Sequence, residues 1–93
     1  MEIEHVRAII TEQVLSERES QEKQWGEQLD HTDEYWTVIL GEEFGEVARE
    51  VYEKNTAKLY IELIQCGAVC MARAEAIQKR NIKRRLEKGD DLI

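Results

Sequence analysis

Acidic side chains recur at close spacing in the middle of the chain. Residues 41–50 read GEEFGEVARE, and Glu42, Glu43 and Glu46 fall on one side of a helix at about 100° per residue. Glu50 and Glu53 extend the same acidic arc by two more positions. In a bare helix the repulsion among these carboxylates costs about 1–2 kcal/mol. Such an arc is either a solvated acidic surface or a site where a divalent cation offsets the repulsion.

A second polar pair lies in the most apolar stretch of the sequence. Residues 59–72 read LYIELIQCGAVCMA, in which Glu62 and Gln65 are the only strongly polar side chains. Because Glu62 and Gln65 are three positions apart, they share a helix face, and burying them unpartnered costs several kcal/mol. Carboxylate and amide oxygens suit a hard cation such as Mg²⁺, with Mn²⁺ as the alternative, and no cluster of His or Cys suggests zinc.

The periodicity of apolar residues predicts an all-α fold of three to four helices. We expect helices over about residues 2–24, 33–53 and 57–80, with residues 81–88 continuing the third helix or forming a fourth. The segment GEQLDHT interrupts the pattern and offers Asp30 and Thr32 as caps, and Asn55 and Thr56 mark the second connection. The second and third of these helices carry the acidic side chains and must therefore position them.

Composition limits the classes of protein to consider. Ninety-three residues with 42% apolar side chains, no proline and five glycines form one helical domain over residues 1–93. The net charge of −7 argues against a stable nucleic-acid complex, and no apolar run is long enough for a membrane span or a secretory signal. We therefore expect a cytoplasmic protein. The basic tail, residues 79–93, is either a helix end favoured by its dipole or a phosphate or subunit contact.

The acidic segments together resemble a known family. The pattern E-E-x-x-E followed by E-x-x-D is similar to that of the MazG-like all-α nucleoside triphosphate pyrophosphohydrolases, particularly their small phage-type and gene-cassette members. It stands here as Glu42-Glu43-Phe44-Gly45-Glu46 and Glu62-Leu63-Ile64-Gln65. The surrounding segments QWGEQLDHTDEYWTVILGEEFGEVARE and ELIQCGAVCMARAEAI extend the resemblance to roughly residues 21–80.

The resemblance implies an enzyme that hydrolyses a nucleoside triphosphate between its α and β phosphorus atoms, releasing a monophosphate and pyrophosphate. The metal ligands it implies are Glu42, Glu43, Glu46, Glu62 and Gln65. Glu43 and Glu46 are the candidate catalytic residues, one of which would activate the attacking water. Because an acidic pocket binds a triphosphate only through bridging cations, activity should depend wholly on added Mg²⁺ or Mn²⁺.

Two positions depart from the family pattern. Gln65 stands where the family usually has Asp, and it offers an oxygen without a negative charge. Three outcomes are open: a weaker second metal, a compensating acid such as Glu50, or a protein that binds without turnover. Arg73 occupies a position where we expect an apolar residue. It could reach a phosphate or a neighbouring subunit, or end the buried stripe in solvent, and we favour solvent.

Two aromatic residues are candidates for substrate binding. Trp25 and Trp36 flank the first connection and could stack on a nucleobase, although large aromatics at helical spacing more often belong to a core. An apolar third helix in so short a chain also needs covering, so we expect a homodimer or homotetramer, as the family resemblance implies. The alternative function is a non-catalytic acidic helical interaction protein or a nucleotide-binding protein.

Overall fold

The computed structural model describes residues 1–27 and 30–89, which form three helices and no strand. Helix α1 spans Ile3–Trp25, α2 spans Asp33–Tyr52 and α3 spans Thr56–Glu87. The all-α prediction is confirmed, and residues 81–87 continue α3 instead of forming a fourth helix. Residues 28–29 of the first connection and residues 90–93 of the basic tail lie outside the described part.

The connections carry the signals that begin and end the helices. The hydroxyl oxygen of Thr32 accepts a hydrogen bond from the backbone N–H of Tyr35 at 3.1 Å, and Asn55 Oδ1 accepts one from the N–H of Lys58 at 3.1 Å. Thr32 is therefore the cap of α2. Between α2 and α3, Lys54 has a φ of 57°, in the left-handed region, and the N–H of Asn55 bonds to the carbonyl of Glu50. This geometry is a Schellman end, in which glycine is the usual residue at the left-handed position.

Helix α3 lies between the other two helices. Both α1 and α2 pack against α3, whereas the backbones of α1 and α2 do not approach each other among the described residues. On α3, the small residues Ala68, Ala72 and Ala76 are buried at four-residue spacing. Trp36 of α2 packs in one cluster with Ala72, Ala76 and Val69, and Ile39 and Leu40 complete the contact.

The core of the single chain is small. The buried apolar side chains of the described part are Trp36, Val47, Ala68, Val69, Ala72 and Ala76. Many large apolar side chains remain exposed, including Phe44 and Val51 on α2 and Ile61 and Leu63 on α3. The apolar composition of residues 59–72 predicts a core helix. In the single chain, only the side of α3 that faces α1 and α2 is covered.

Candidate functional site

The face of α2 that packs on α3 carries both apolar and acidic side chains. Trp36, Glu43 and Glu50 follow one another at intervals of seven residues and therefore lie on nearly one line of the helix. Trp36 and Glu50 are buried, as is Val47 beside them, and Glu43 is half-buried. Glutamates thus stand inside the α2–α3 interface, while the apolar Phe44 and Val51 face outward.

Three glutamates from the two helices converge at this interface. Glu43 and Glu46 of α2 and Glu62 of α3 each place a carboxylate oxygen within 4.8 Å of the other two. Glu46 is exposed and the other two are half-buried. The Oε2 atoms of Glu43 and Glu62 are shielded from solvent and have no hydrogen-bond partner. We call Glu43, Glu46 and Glu62 the acidic triad.

The electrostatics of the triad are unfavourable for three ionised groups. Burial raises the pKa of Glu43, and the charges of Glu46, Glu17 and Glu42 raise it further. Burial is also the main cause of the raised pKa of Glu62, followed by the adjacent Glu46 carboxylate and the charges of Glu43 and Glu50. Carboxylates this close are stabilised either by a shared proton or by a cation.

The donor set of the triad fits a hard divalent cation. Carboxylate oxygens from three residues are ligands that Mg²⁺ and Mn²⁺ accept, and two of these residues also have a shielded oxygen without a partner. Acidic clusters also occur on proteins without any ion, so the cation stays a prediction. The geometry establishes that Glu43, Glu46 and Glu62 meet, as the motif spacing predicts.

The other two predicted ligands, Glu42 and Gln65, are not members of the triad. Glu42 is exposed and lines a neighbouring groove together with Glu43. Gln65 is half-buried and lines a groove between α3 and α1, with Gln13 and Tyr60. The backbone carbonyl of Gln65 accepts a hydrogen bond from the side chain of Gln21 at 3.3 Å.

Aromatic side chains line the groove that contains Glu42 and Glu43. The groove has a volume of about 460 Å³, and Trp25, His31 and Tyr35 form its aromatic part. The ring centres of His31 and Tyr35 are 4.3 Å apart. Trp25 is half exposed, whereas Trp36 is 1% exposed, so both faces of the Trp36 ring are covered by protein. Trp36 is accordingly a core residue in this structure, and Trp25 is the tryptophan open to a ligand.

Arg73 is not in solvent, contrary to the expectation from the sequence. Its guanidinium donates a hydrogen bond to Asp33, the first residue of α2, and Arg80 lies 3.6 Å from the same carboxylate. The Arg73 guanidinium, and to a smaller extent Arg80, holds the pKa of Asp33 below its usual value. Sequence reasoning missed this pair because its members are 40 positions apart.

Within residues 1–27 and 30–89, none of the helices is both long enough and apolar enough to cross a membrane.

Comparison of the chain with protein-family models, with curated proteins and with solved structures gives no match. The resemblance to the MazG-like family therefore stays a prediction that rests on the motifs and their spacing.

Proposed function

We propose that this protein is a Mg²⁺-dependent nucleoside triphosphate pyrophosphohydrolase, with Mn²⁺ as the alternative cation. The observation that carries the proposal is the acidic triad, in which carboxylate oxygens from two helices lie within 4.8 Å of one another. The shielded Oε2 atoms of Glu43 and Glu62 add to it, because buried acceptors without partners are costly unless a ligand satisfies them.

In this proposal, Glu42, Glu43, Glu46 and Glu62 would hold the cation, and Gln65 would offer a neutral oxygen. When bound, Mg²⁺ supplies the positive charge that lets an acidic site accept a triphosphate. One of Glu43 and Glu46 takes a proton from the attacking water. The water oxygen forms a bond to the α phosphorus, the bond from the α phosphorus to the bridging oxygen breaks, and pyrophosphate leaves.

The aromatic groove supports a nucleotide as the substrate. Trp25 and Tyr35 are each half exposed and line the same groove as Glu42 and Glu43. A nucleobase could stack on these rings while its phosphates reach the acidic end, since stacking on aromatic rings is tolerant of base identity. Of the two candidate tryptophans, we therefore assign Trp25 to the base.

The exposed apolar side chains support assembly into a homodimer or homotetramer. The radius of gyration is 16.0 Å, against about 12 Å for a compact domain of this length. Phe44 and Val51 of α2 and Ile61 and Leu63 of α3 are each more than half exposed. A second copy of the chain would cover these faces, and size-exclusion chromatography with light scattering would measure the mass.

Pyrophosphate release tests the hydrolase directly. The purified chain is incubated with Mg²⁺ and a panel of canonical and damaged ribo- and deoxyribonucleoside triphosphates, and pyrophosphate and monophosphate are both quantified. We expect both products in equal amounts from the wild type, none in excess EDTA and none from Glu43→Ala. Binding without products would indicate a nucleotide-binding protein, and silence across the panel would exclude the enzyme.

A further inference from the structure

Glu50 is an acidic residue in the α2–α3 interface that the predicted ligand set does not use. The residue is nine-tenths buried, with 9% of its surface exposed. Its Oε2 atom is shielded from solvent, and no hydrogen bond or ion pair in the described part of the chain reaches that atom. A carboxylate in this position is unusual, because charged side chains are seldom buried without a partner.

The position of Glu50 in its helix makes the missing partner more costly. Glu50 lies in the last turn of α2, where the negative end of the helix dipole disfavours a carboxylate. Glu46 is one turn earlier on the same face, and like charges at this spacing repel. Arg18, Arg73, Lys79 and Arg80 each form an ion pair with an acidic residue other than Glu50.

The charge of Glu50 acts on a member of the triad. Its charge acts on the carboxylate of Glu62 across the interface. It follows Glu43 by seven positions and Glu46 by four, and so lies on the face of α2 that carries the triad. It is not one of the three carboxylates that lie within 4.8 Å of one another.

Gln65 leaves a deficit of charge that Glu50 can supply. The amide of Gln65 is neutral, and the residue lines the groove toward α1. A divalent cation held by carboxylates binds more tightly as the number of charged ligands increases. Of the acidic residues near the triad, Glu50 is the one that combines deep burial with an unpartnered oxygen.

We infer that Glu50 is a further carboxylate of the cation site, in addition to the four of the proposed ligand set, and that it acts on the Glu62 side and supplies a negative charge that the neutral Gln65 does not. This assignment rests on the proposed function, because it needs the triad to bind a cation. It does not need the chain to hydrolyse a triphosphate.

Binding of Mn²⁺ to the full chain tests the role of Glu50 without an enzymatic assay. The free Mn²⁺ signal in electron paramagnetic resonance is titrated against the wild type, Glu50→Gln and Glu53→Gln. Glu53 is exposed just after α2 and provides a matched loss of one charge. We expect Glu50→Gln to weaken Mn²⁺ binding at least about tenfold, since even indirect partners of metal ligands cost that much. Glu53→Gln should change it less than about twofold.

A second variant separates a ligand from a residue that only supports the fold. Glu50→Asp keeps the charge with a shorter side chain, so its Mn²⁺ affinity should fall between those of the wild type and Glu50→Gln. The melting temperature without cation should not fall in Glu50→Gln, because a buried unpaired charge has been removed. Equal Mn²⁺ affinity of Glu50→Gln and the wild type would overturn the assignment.

The outcomes distinguish failure of the inference from failure of the proposed function. If the wild type binds no Mn²⁺, the cation site and the role of Glu50 both fail. If the wild type binds Mn²⁺ and Glu50→Gln binds it equally well, only the assignment of Glu50 fails. If Mn²⁺ binding depends on Glu50 but no pyrophosphate is released, the inference stands and the hydrolase proposal fails.

Discussion

Replacing Glu62 by Gln should reverse the order of thermal stability between the free and the cation-bound protein. Glu62 is repelled by Glu43, Glu46 and Glu50. If each repulsion costs as much as a like-charged pair on a helix, about 0.2–0.5 kcal/mol, the variant gains about 1 kcal/mol of stability. In a domain of this length, that gain raises the melting temperature by roughly 4–8 °C.

Cation binding should have the opposite effect. A ligand at a concentration 100 times its Kd stabilises the folded state by about 2.7 kcal/mol, and a variant that cannot bind the ligand loses this gain. Glu62→Gln should therefore melt above the wild type in EDTA and below it in saturating Mn²⁺. The assay is circular dichroism at 222 nm during heating, with NaCl at matched ionic strength to separate binding from screening.

Glu87→Gln is the matched control, because Glu87 is the last residue of α3 and is exposed. It should melt within a few degrees of the wild type in EDTA and keep the full gain from Mn²⁺. Destabilisation of Glu62→Gln in EDTA would refute the repulsion within the triad. A wild type that gains no more from Mn²⁺ than from NaCl would refute the cation site.

Three further predictions concern pH, the core and a helix end. Because burial and neighbouring carboxylates raise the pKa of Glu43 and Glu62, the folded state binds protons more tightly than the unfolded state. The melting temperature of the cation-free protein should therefore rise as the pH is lowered from about 7 to about 5. Saturating Mg²⁺ should reverse this trend. Thermal unfolding measured at each pH, with and without Mg²⁺, tests both expectations. Trp36→Ala removes the largest fully buried side chain and should cost about 3–5 kcal/mol in urea unfolding; a loss below about 1 kcal/mol would contradict its place in the core. Lys54→Gly relieves a left-handed backbone position and should gain up to about 1 kcal/mol by the same measurement, whereas Lys54→Ala should not.

The helices and the meeting of the triad were open to prediction from the sequence. Thr32 and Asn55 are residues that cap helices, and both do so. A short connection between α2 and α3 forces these helices to run beside each other, so acidic residues on facing sides must meet. Glu43, Glu46 and Glu62 follow from local spacing and this one connection.

The burial of Glu50 was not predicted, and the sequence left Trp36 between the core and the base site, because a helical wheel gives angles around one helix but not the direction of its neighbour. Phe44 and Val51 are apolar residues of α2 that remain exposed in the single chain, because α2 packs on α3 about its Trp36–Glu50 line. The seven-residue spacing from Trp36 through Glu43 to Glu50 was the available signal. Once Trp36 is taken as core, both glutamates must face α3.

The central position of α3 has a consequence for how the molecule assembles. Helices α2 and α3 are adjacent in sequence, whereas the bond between Arg18 of α1 and Glu75 of α3 spans 57 positions. Contacts between distant residues close large loops and form late in folding, so the α2–α3 hairpin should form first and α1 should dock last. Early loss of α1 under mild denaturant would then remove Trp25 while leaving Glu43 and Glu62 together. The chain could in this way keep its carboxylate cluster in a partly folded state that has lost the aromatic wall.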